Sequence, residues 1–464
     1  MKRDRTDLLL YEKNMYKSFV ILALPVFGVN ILMSLNDLID TYFVGQMPNS
    51  VAAQAGMSIS WPLINILMAF NIGLAVAGVA VISQFLGAGK KEEAQKYSGM
   101  LVLLSVGLGF VINLLLFLVT PFVIGWMGAT GDTYTSAVTY VQVRSFEMVF
   151  SFLFAAFQSI RQSRGDTVTP VALSAMGIVV NVILNAVFIQ GLGMGVFGAA
   201  LATVISLAVR APFCIYYLFI DKGESRLSLK DLKPDFTCIK KLSIIAMPSA
   251  GSQAFSSFGF LFLQVFVLSY GERVSAAFSL GNKVSNLLLM PVMALGSVLA
   301  TFVGQNIGNQ NKERAIHAYK VSRNLGLIIS VVGSLLLFPL RGMALGLLTN
   351  DPETLKIAME FMIYVLLLQP LMSMFQSYIS LFNGAGKTTY SFIMSTARLW
   401  VLRLPFIMFC QHFTNIGRLG IWYAMVYSNF MIVLLGMFFY RKIDFSATIS
   451  GGKVKKEHDL SGKV

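Results

Sequence analysis

Apolar runs long enough to cross a lipid bilayer recur along the whole chain. The run Met100–Ile124, for example, contains no charged side chain. A helix of about 20 apolar residues spans a hydrocarbon layer roughly 30 Å thick. Hydrophobic residues make up 56% of the 464 positions and charged residues only 12%, about half the charged share of a soluble domain. The sequence therefore predicts an all-α integral membrane protein.

Twelve apolar segments can be assigned as transmembrane helices. The predicted spans are 18–44, 58–86, 99–123, 134–161, 167–190, 196–220, 239–270, 281–304, 318–340, 356–384, 388–411 and 417–440. The first span is too long for the apolar core of a signal peptide, and no small-residue cleavage site follows it. We therefore interpret it as the first helix of the mature protein.

The net charge of +14 reflects membrane topology, because the basic residues collect on alternate connections. One set holds Lys90 and Lys91, Arg161 and Arg164, Lys222–Lys241, Lys312–Arg314 and both tails, whereas the opposite set holds only Arg273, Arg341 and Arg418. Cytoplasmic loops of membrane proteins are enriched in Lys and Arg. This asymmetry predicts a multi-pass protein of the plasma membrane with both termini in the cytoplasm, and it argues against a nucleic-acid partner.

An internal repeat divides the spans into two sets of six. SQFLGAGKKEEA (83–94) matches GQNIGNQNKERA (304–315) at a shift of 221 residues, and the same shift aligns RGDT (164–167) with AGKT (385–388). Two lobes of six helices should be related by a pseudo-twofold axis along the membrane normal. We predict an N-lobe at 1–220, a cytoplasmic linker at 221–238, a C-lobe at 239–442 and a tail at 443–464. This organisation suggests a secondary transporter.

Other function classes find little support in the sequence. NGAGKTT (383–389) resembles a phosphate-binding loop, but Leu381 stands where that motif needs glycine, and the segment joins two apolar spans. The three cysteines and three histidines have no metal-ligand spacing. An enzyme would need an acid pair or a metal cluster, and a channel would need rings of like residues. We expect no enzymatic activity, nucleotide, cofactor or resident metal, and an ion gradient must then supply the energy.

Carboxylates inside the first span are the main candidates for chemistry. SLNDLIDTYFVGQ (34–46) places Asn36, Asp37 and Asp40 along one flank of a helix. A charged side chain at the bilayer centre costs at least ~2.5 kcal/mol and usually faces a cavity or a partner. Asn181 and Asn185 also lie four apart on one face. Together with Thr203 in the sixth span, these groups could form a proton or hard-cation site, or a polar cluster that only locks helices together.

These motifs together resemble the multidrug and toxic compound extrusion (MATE) family. The resemblance rests on LIDTYFVGQ (38–46), the end of the second span, NxxxNxxFI in the fifth and GxxGAAxAT at 195–203. It implies a V-shaped pair of lobes that exports organic cations or amphipathic drugs in exchange for H+ or Na+. Asp40 then matches the first-helix acid of the family, and Asn181, Asn185 and Thr203 match polar positions of the fifth and sixth helices.

The chain departs from the family pattern in its second lobe. Some members carry acids in the seventh and tenth helices, where this sequence has Gln253 and Gln376 but no acid. Some carry Asp at the position of Asn185. We therefore expect the N-lobe to bind the coupling ion.

Basic residues within the spans leave the charge of the substrate open. The residues predicted to line the substrate cavity are Arg144, Glu147, Arg210, Lys283, Gln253 and Gln376. Arg144 could pair with Glu147, but Arg398 and Arg403 of the eleventh span have no evident acidic partner. If two or more basic residues line the cavity, an anionic substrate or a lipid-linked saccharide is favoured over an organic cation. The sequence predicts a monomer that exports small amphipathic molecules.

Overall fold

The computed structural model describes residues 9–45, 50–221, 226–349, 351–446 and 449–451. Within these ranges eleven helices are long and apolar enough to cross a membrane, and one further pair of helices is joined by a 42° bend. Counting the bent pair as one span gives the predicted twelve, and the described residues contain no strand. The all-α membrane architecture is therefore confirmed.

The helices are named in chain order. They are α1 Met15–Gly45, α2 Ser50–Gly87, α3 Lys91–Trp126, α4 Gly131–Ser145 with Glu147–Ser163, α5 Val168–Gly191, α6 Gly195–Ile220, α7 Phe236–Leu268, α8 Glu272–Gly308, α9 Lys312–Gly346, α10 Pro352–Gly384, α11 Thr388–Phe413 and α12 Leu419–Lys442. Several extend beyond the predicted spans because their polar first turns continue the helix outside the apolar run. α3, for example, begins at Lys91.

Three spans depart from regular α-helical geometry. The last six residues of α5, Ala186–Gly191, are π-helical, as are the end of α6 at Tyr216–Ile220 and the middle of α11 at Ala397–Arg403. Short π-helical segments inside α-helices are rare and frequently occur at functional sites. The segment in α5 begins directly after Asn185, and the segment in α11 contains both Arg398 and Arg403.

The turns of the repeat have the same backbone conformation in both halves. Gly165 and Gly386, which the 221-residue shift aligns, have φ of 78° and 72°. Gly89 and its counterpart Gln310 have φ of 71° and 56°. Glycine enters this left-handed region without steric cost, whereas a residue such as Gln310 rarely does. NGAGKTT therefore forms a turn between α10 and α11, as predicted.

The linker ends earlier than the sequence suggested. α7 begins at Phe236, inside the predicted linker 221–238, because the Asp235 carboxylate accepts hydrogen bonds from the N–H groups of Thr237 and Cys238 at 2.8 and 3.3 Å. Lys96 and these two N–H groups lower the pKa of Asp235 to about 2. The cap therefore stays ionised at physiological pH and fixes the start of the C-lobe.

The two lobes exchange the beginnings of their first helices. Phe19 of α1 stacks on Phe302 of α8 at 4.6 Å and belongs to a core cluster formed mainly by C-lobe residues. Leu242 and Ala246 of α7 lie in the core cluster of the N-lobe. Because α1 and α7 are repeat partners, this exchange has the twofold character that the sequence predicted.

Both described chain ends lie at one face of the bundle. Arg314 donates to the backbone carbonyl of Glu12 at 2.8 Å, and Lys90 donates to the backbone carbonyl of Ser450 at 2.8 Å. The same face holds the turns before α3, α5, α9 and α11, and it is called the basic face below. It is the side to which the sequence assigns most Lys and Arg.

Glycines bring the lobes into backbone contact at the basic face. A Cβ atom at Gly87 of α2 would overlap the carbonyl oxygen of Gln305 in α8, and a Cβ atom at Gly308 of α8 would overlap that of Gln84 in α2. Gln305 also donates to the carbonyl oxygen of Ser163 at 2.6 Å. The residues that identified the repeat therefore pack against each other, and they close the lobes on this side.

We predict that Gly87→Ala opens this contact. Overpacking typically costs about 1–3 kcal/mol, so the closed arrangement should lose population to one with separated lobes. Spin labels on Glu92→Cys and Glu313→Cys, both exposed, would report a longer distance in double electron–electron resonance. The matched control is Gly107→Ala, because Gly107 has open space around its Cα. An unchanged distance in the Gly87 variant would contradict the prediction.

Candidate functional site

Asp40 lies at the centre of a hydrogen-bonded polar cluster in the N-lobe. Its Oδ1 accepts a hydrogen bond from Asn185 Nδ2 at 2.6 Å, and its Oδ2 accepts one from Asn36 Nδ2 at 3.1 Å. Asn185 Nδ2 also donates to Asn181 Oδ1 at 3.1 Å. Asn181 and Asn185 are almost fully buried. The structure therefore brings together four of the six residues that the sequence assigned to an ion site.

Thr203, a fifth predicted member, does not add a contact to this cluster. The Thr203 hydroxyl donates to the carbonyl oxygen of Ala199 at 3.1 Å, one turn back in its own helix. A threonine hydroxyl in a helix commonly makes this bond, and the bond leaves no donor for Asp40. The side chain of Asp37 lies outside the described residues.

The cluster contains oxygen atoms that could bind a proton or coordinate a hard cation. Asn36 Oδ1 is buried and has no hydrogen-bond partner among the described residues. It lies in the cluster with the Asp40 carboxylate and the amide oxygen of Asn181. Na+ would be held by an ionised carboxylate and neutral oxygens of this type. A proton would bind to the carboxylate itself.

A buried ion pair lies beside this cluster, at the bend in α4. Arg144 binds Glu147 through two parallel hydrogen bonds of 2.7 Å and donates a third to the Tyr140 hydroxyl at 2.9 Å. Tyr140 in turn lies within electrostatic range of Asp40. Because the pair is bidentate and Glu147 is fully buried, its two charges largely compensate each other. The pairing that the sequence suggested is present.

A cavity of about 740 Å³ lies between the lobes and reaches into the C-lobe. Its wall carries many neutral polar side chains, but the described residues that line it include no carboxylate. The amide side chains on the wall are Asn71, Gln158, Gln162, Gln253, Asn282, Asn286, Gln376, Asn383 and Asn429. Ligand pockets of drug-sized molecules have volumes of roughly 300–1,000 Å³. The cavity is therefore large enough for such a molecule.

Arg398 and Arg403 supply the only charged side chains among the described residues of this wall. Both are buried, with 7% and 2% of their surface exposed. Arg398 Nη1 contacts the Met372 sulfur at 3.2 Å, and its guanidinium lies 4.6 Å from the centre of the Phe375 ring. Arg403 donates to Ser428 Oγ at 3.0 Å and to Asn429 Oδ1 at 3.1 Å. Neither forms an ion pair with a described carboxylate.

The residues predicted to line the substrate cavity separate into two groups. Gln253 and Gln376 lie on the cavity wall, whereas Arg144, Glu147, Arg210 and Lys283 do not. The sequence grouped all six because it does not reveal which flank of a span faces the lobe interface. Arg210 is buried over the Phe154 ring at 5.2 Å, and Lys283 is exposed on α8.

Sequence reasoning noted Arg398 and Arg403 but did not assign them to the cavity. Residues five apart on an α-helix point about 140° away from each other, because each residue turns the helix by about 100°. In the π-helical segment Ala397–Arg403 the hydrogen bonds run from i to i+5, which brings these two side chains to one face. The usable signal was the lack of an acidic partner for either arginine.

Comparisons with known proteins agree with this architecture. The family model for MatE matches residues 25–187 and 248–409. The chain is 25% identical to the probable multidrug resistance protein YoeA of Bacillus subtilis, with 94% of this chain and 97% of the relative covered. It is 26% identical to the probable multidrug resistance protein NorM of Thermotoga maritima, with 88% and 89% covered.

A solved structure has the same fold. It is the outward-facing conformation of a multidrug resistance MATE family transporter, with a TM-score of 0.89 at 23% identity over 95% of this chain and 98% of that one. The two matches of the family model together cover more than half of the sequence. The chain therefore belongs to the MatE family, the multidrug and toxic compound extrusion membrane transporters.

Proposed function

We propose that this protein exports small amphipathic molecules in exchange for H+ or Na+, with Asp40 as the ion-binding carboxylate. The observation that carries the proposal is the half-buried cluster in which Asp40 accepts hydrogen bonds from Asn36 and Asn185. A carboxylate within the membrane is costly unless a partner or a function requires it. The names of the relatives, multidrug resistance proteins of bacteria, support export of drug-like substrates.

The proposed cycle alternates access to the cavity between the two sides of the membrane. The closed contact at Gly87 and Gly308 corresponds to a state in which the basic face is sealed. An ion from outside then binds Asp40, the N-lobe helices rearrange, and the substrate leaves outward. Reopening of the basic face releases the ion inside. Inward movement of one net charge across ~100 mV yields ~2.3 kcal/mol, enough for a substrate gradient of roughly fiftyfold.

The proposed orientation places both termini and the basic face in the cytoplasm of a cell with this protein in its plasma membrane. The distribution of Lys and Arg supports this orientation. The contacts of both described chain ends with the basic face are consistent with it. A flippase for lipid-linked saccharides is the second candidate, and the two cavity arginines are the observation that favours it.

We predict that Asp40→Asn abolishes ion-driven transport. The variant keeps the size of the side chain but can neither bind a proton nor carry a charge. In proteoliposomes under an imposed H+ or Na+ gradient, efflux of a fluorescent amphipathic dye should fall to the rate of passive leak. Asp132→Asn is the matched control, because Asp132 is an exposed acid of the N-lobe. Normal coupling in the Asp40 variant would show that the cluster only stabilises the helices.

The variant Asn185→Leu should distinguish the two coupling ions. Its amide donates to the Asp40 carboxylate at 2.6 Å, and a hydrogen bond to a charged group contributes about 1.5–3 kcal/mol. If H+ is the coupling ion, loss of this hydrogen bond favours the protonated form of Asp40. The pH at which transport is half-maximal should then rise by about one unit or more. With Na+ as the ion, transport should instead require a higher Na+ concentration.

The control for this experiment is Asn113→Leu, which also removes an N-lobe amide. The Asn113 Oδ1 atom accepts a hydrogen bond from Ser145 Oγ at 2.9 Å, so this amide serves Ser145 and not Asp40. The dependence of efflux on external pH and on Na+ would be measured for both variants. If the pH dependence and the Na+ dependence of Asn185→Leu both match those of the control, the cluster has no role in ion binding.

The proposed orientation predicts opposite labelling of two single cysteines. The native cysteines Cys214, Cys238 and Cys410 are buried, so background reaction with a membrane-impermeant maleimide should be low. Asn415→Cys, in the connection before α12, should react in intact cells. Glu93→Cys, at the basic face, should react only after the membrane is permeabilised. The reverse pattern would place the termini outside.

A further inference from the structure

We propose that the cavity between the lobes binds amphipathic anions, molecules with a carboxylate or phosphate head and an apolar body, and that Arg398 and Arg403 bind the head. This inference deepens the proposed function, since it names the substrate class for the same transporter. It differs from the organic cations that the family resemblance implied.

The described residues leave much of the hydrogen-bonding capacity of Arg398 unfilled. A guanidinium has five N–H donors and no acceptor. Arg398 directs one of them to the sulfur of Met372, which is a weak acceptor, and its Nε is buried without a hydrogen-bond partner in the described part of the chain. The Phe375 ring attracts the cation but accepts no planar pair of hydrogen bonds. The side chain is therefore poorly compensated by the protein itself.

The charge of Arg403 is surrounded by neutral hydrogen-bond partners among the described residues. Its partners Ser428 and Asn429 are neutral, and it lies close enough to Arg398 for the two positive charges to repel each other. No carboxylate among the described residues lines the same wall. A bound anion would remove this repulsion, whereas a bound cation would increase it.

Arg398 and Arg403 face the same cavity. The π-helical segment Ala397–Arg403 directs both guanidinium groups into one cavity. Their planar forks match the paired oxygens of a carboxylate or phosphate. Phe260, Leu289 and Met293 line the same cavity and offer apolar and polarizable surface to the rest of the ligand. The wall therefore offers groups for an anionic head and groups for an apolar body.

The contrast with the other buried cations supports a binding role over a structural one. Arg144 has a bidentate carboxylate partner, and Arg210 lies over Phe154 outside this cavity. Arg210 Nε is, like Arg398 Nε, buried without a hydrogen-bond partner in the described part of the chain, so the distinguishing feature of Arg398 and Arg403 is that they line the cavity. In the C-lobe the same residue type faces an open volume of about 740 Å³ with only neutral partners.

Equilibrium binding to the purified full chain in a neutral detergent tests the inference. The probes are three dansylamino-undecyl chains that differ only in the head group: a carboxylate, a phosphate monoester or a trimethylammonium. We expect both anionic probes to bind at least about tenfold more tightly than the cationic one, a difference of ~1.4 kcal/mol. Equal or tighter binding of the trimethylammonium probe would overturn the inference.

Variants of the two arginines identify the groups that bind the head. Arg398→Gln and Arg403→Gln should each weaken anion binding about tenfold and leave binding of the cationic probe unchanged or stronger. Arg398→Lys should keep part of the anion preference, since it keeps the charge but loses the planar fork. Arg273→Gln is the control, because Arg273 is an exposed arginine outside the cavity that pairs with Glu353. The inference would be overturned if the Gln variants bound all three probes equally weakly, or if the Lys variant lost all preference for the anionic probes.

Competition distinguishes the two sources of such an anion. Octyl phosphate represents a soluble amphipathic anion, and dioleoyl phosphatidate represents a lipid with the same head group. Preferential displacement of the probe by one of them assigns the source, and displacement by neither overturns the inference. Because binding in detergent needs no ion gradient, a failure of ion-coupled transport would leave this result intact. Ion-coupled export of cationic dyes alone would uphold the proposed function and contradict this inference.

Discussion

Lipid offers no hydrogen-bond partner, and this constraint determines where every polar side chain of the spans can lie. Such a group must meet another protein group or water inside the bundle. Arg144 meets the constraint with Glu147, and Asp40 meets it with Asn36 and Asn185. Arg398 meets it only with a sulfur atom and an aromatic ring, Arg403 meets it with neutral side chains, and both face the cavity. The candidate substrate site is therefore marked by charged groups that face the cavity, and burial alone does not identify it.

The two lobes share a backbone plan but carry different chemistry. At the basic face the symmetry is close, because Gly87 contacts Gln305 where Gly308 contacts Gln84. Deeper in the bundle the symmetry is broken. The 221-residue shift aligns Arg398 with Gly177, and the missing side chain at Gly177 makes room for Arg210 against α5. The N-lobe therefore holds the Asp40 cluster, whereas the C-lobe presents Arg398 and Arg403 to the cavity.

Much of this arrangement could be predicted from the sequence because it follows from local rules. The lengths of the apolar runs predicted the twelve spans. The i, i+4 spacing of Asn181 and Asn185 predicted that both amides lie on one helix face, and this face contacts Asp40. Thr203 did not join them, because its hydroxyl already bonds its own helix. The shared orientation of Arg398 and Arg403 could not be predicted, since it depends on a π-helical segment that the residue pattern does not reveal.

The two cavity arginines also bear on how much electrical work one turnover performs. A cation that leaves while one H+ or Na+ enters moves no net charge, so the membrane potential cannot drive that exchange. A monovalent anion that leaves in the same exchange moves two charges in the favourable direction, each worth ~2.3 kcal/mol per ~100 mV. With guanidinium groups at the binding site, the cycle would be electrogenic, and a cell could power it by voltage without any difference in pH or Na+.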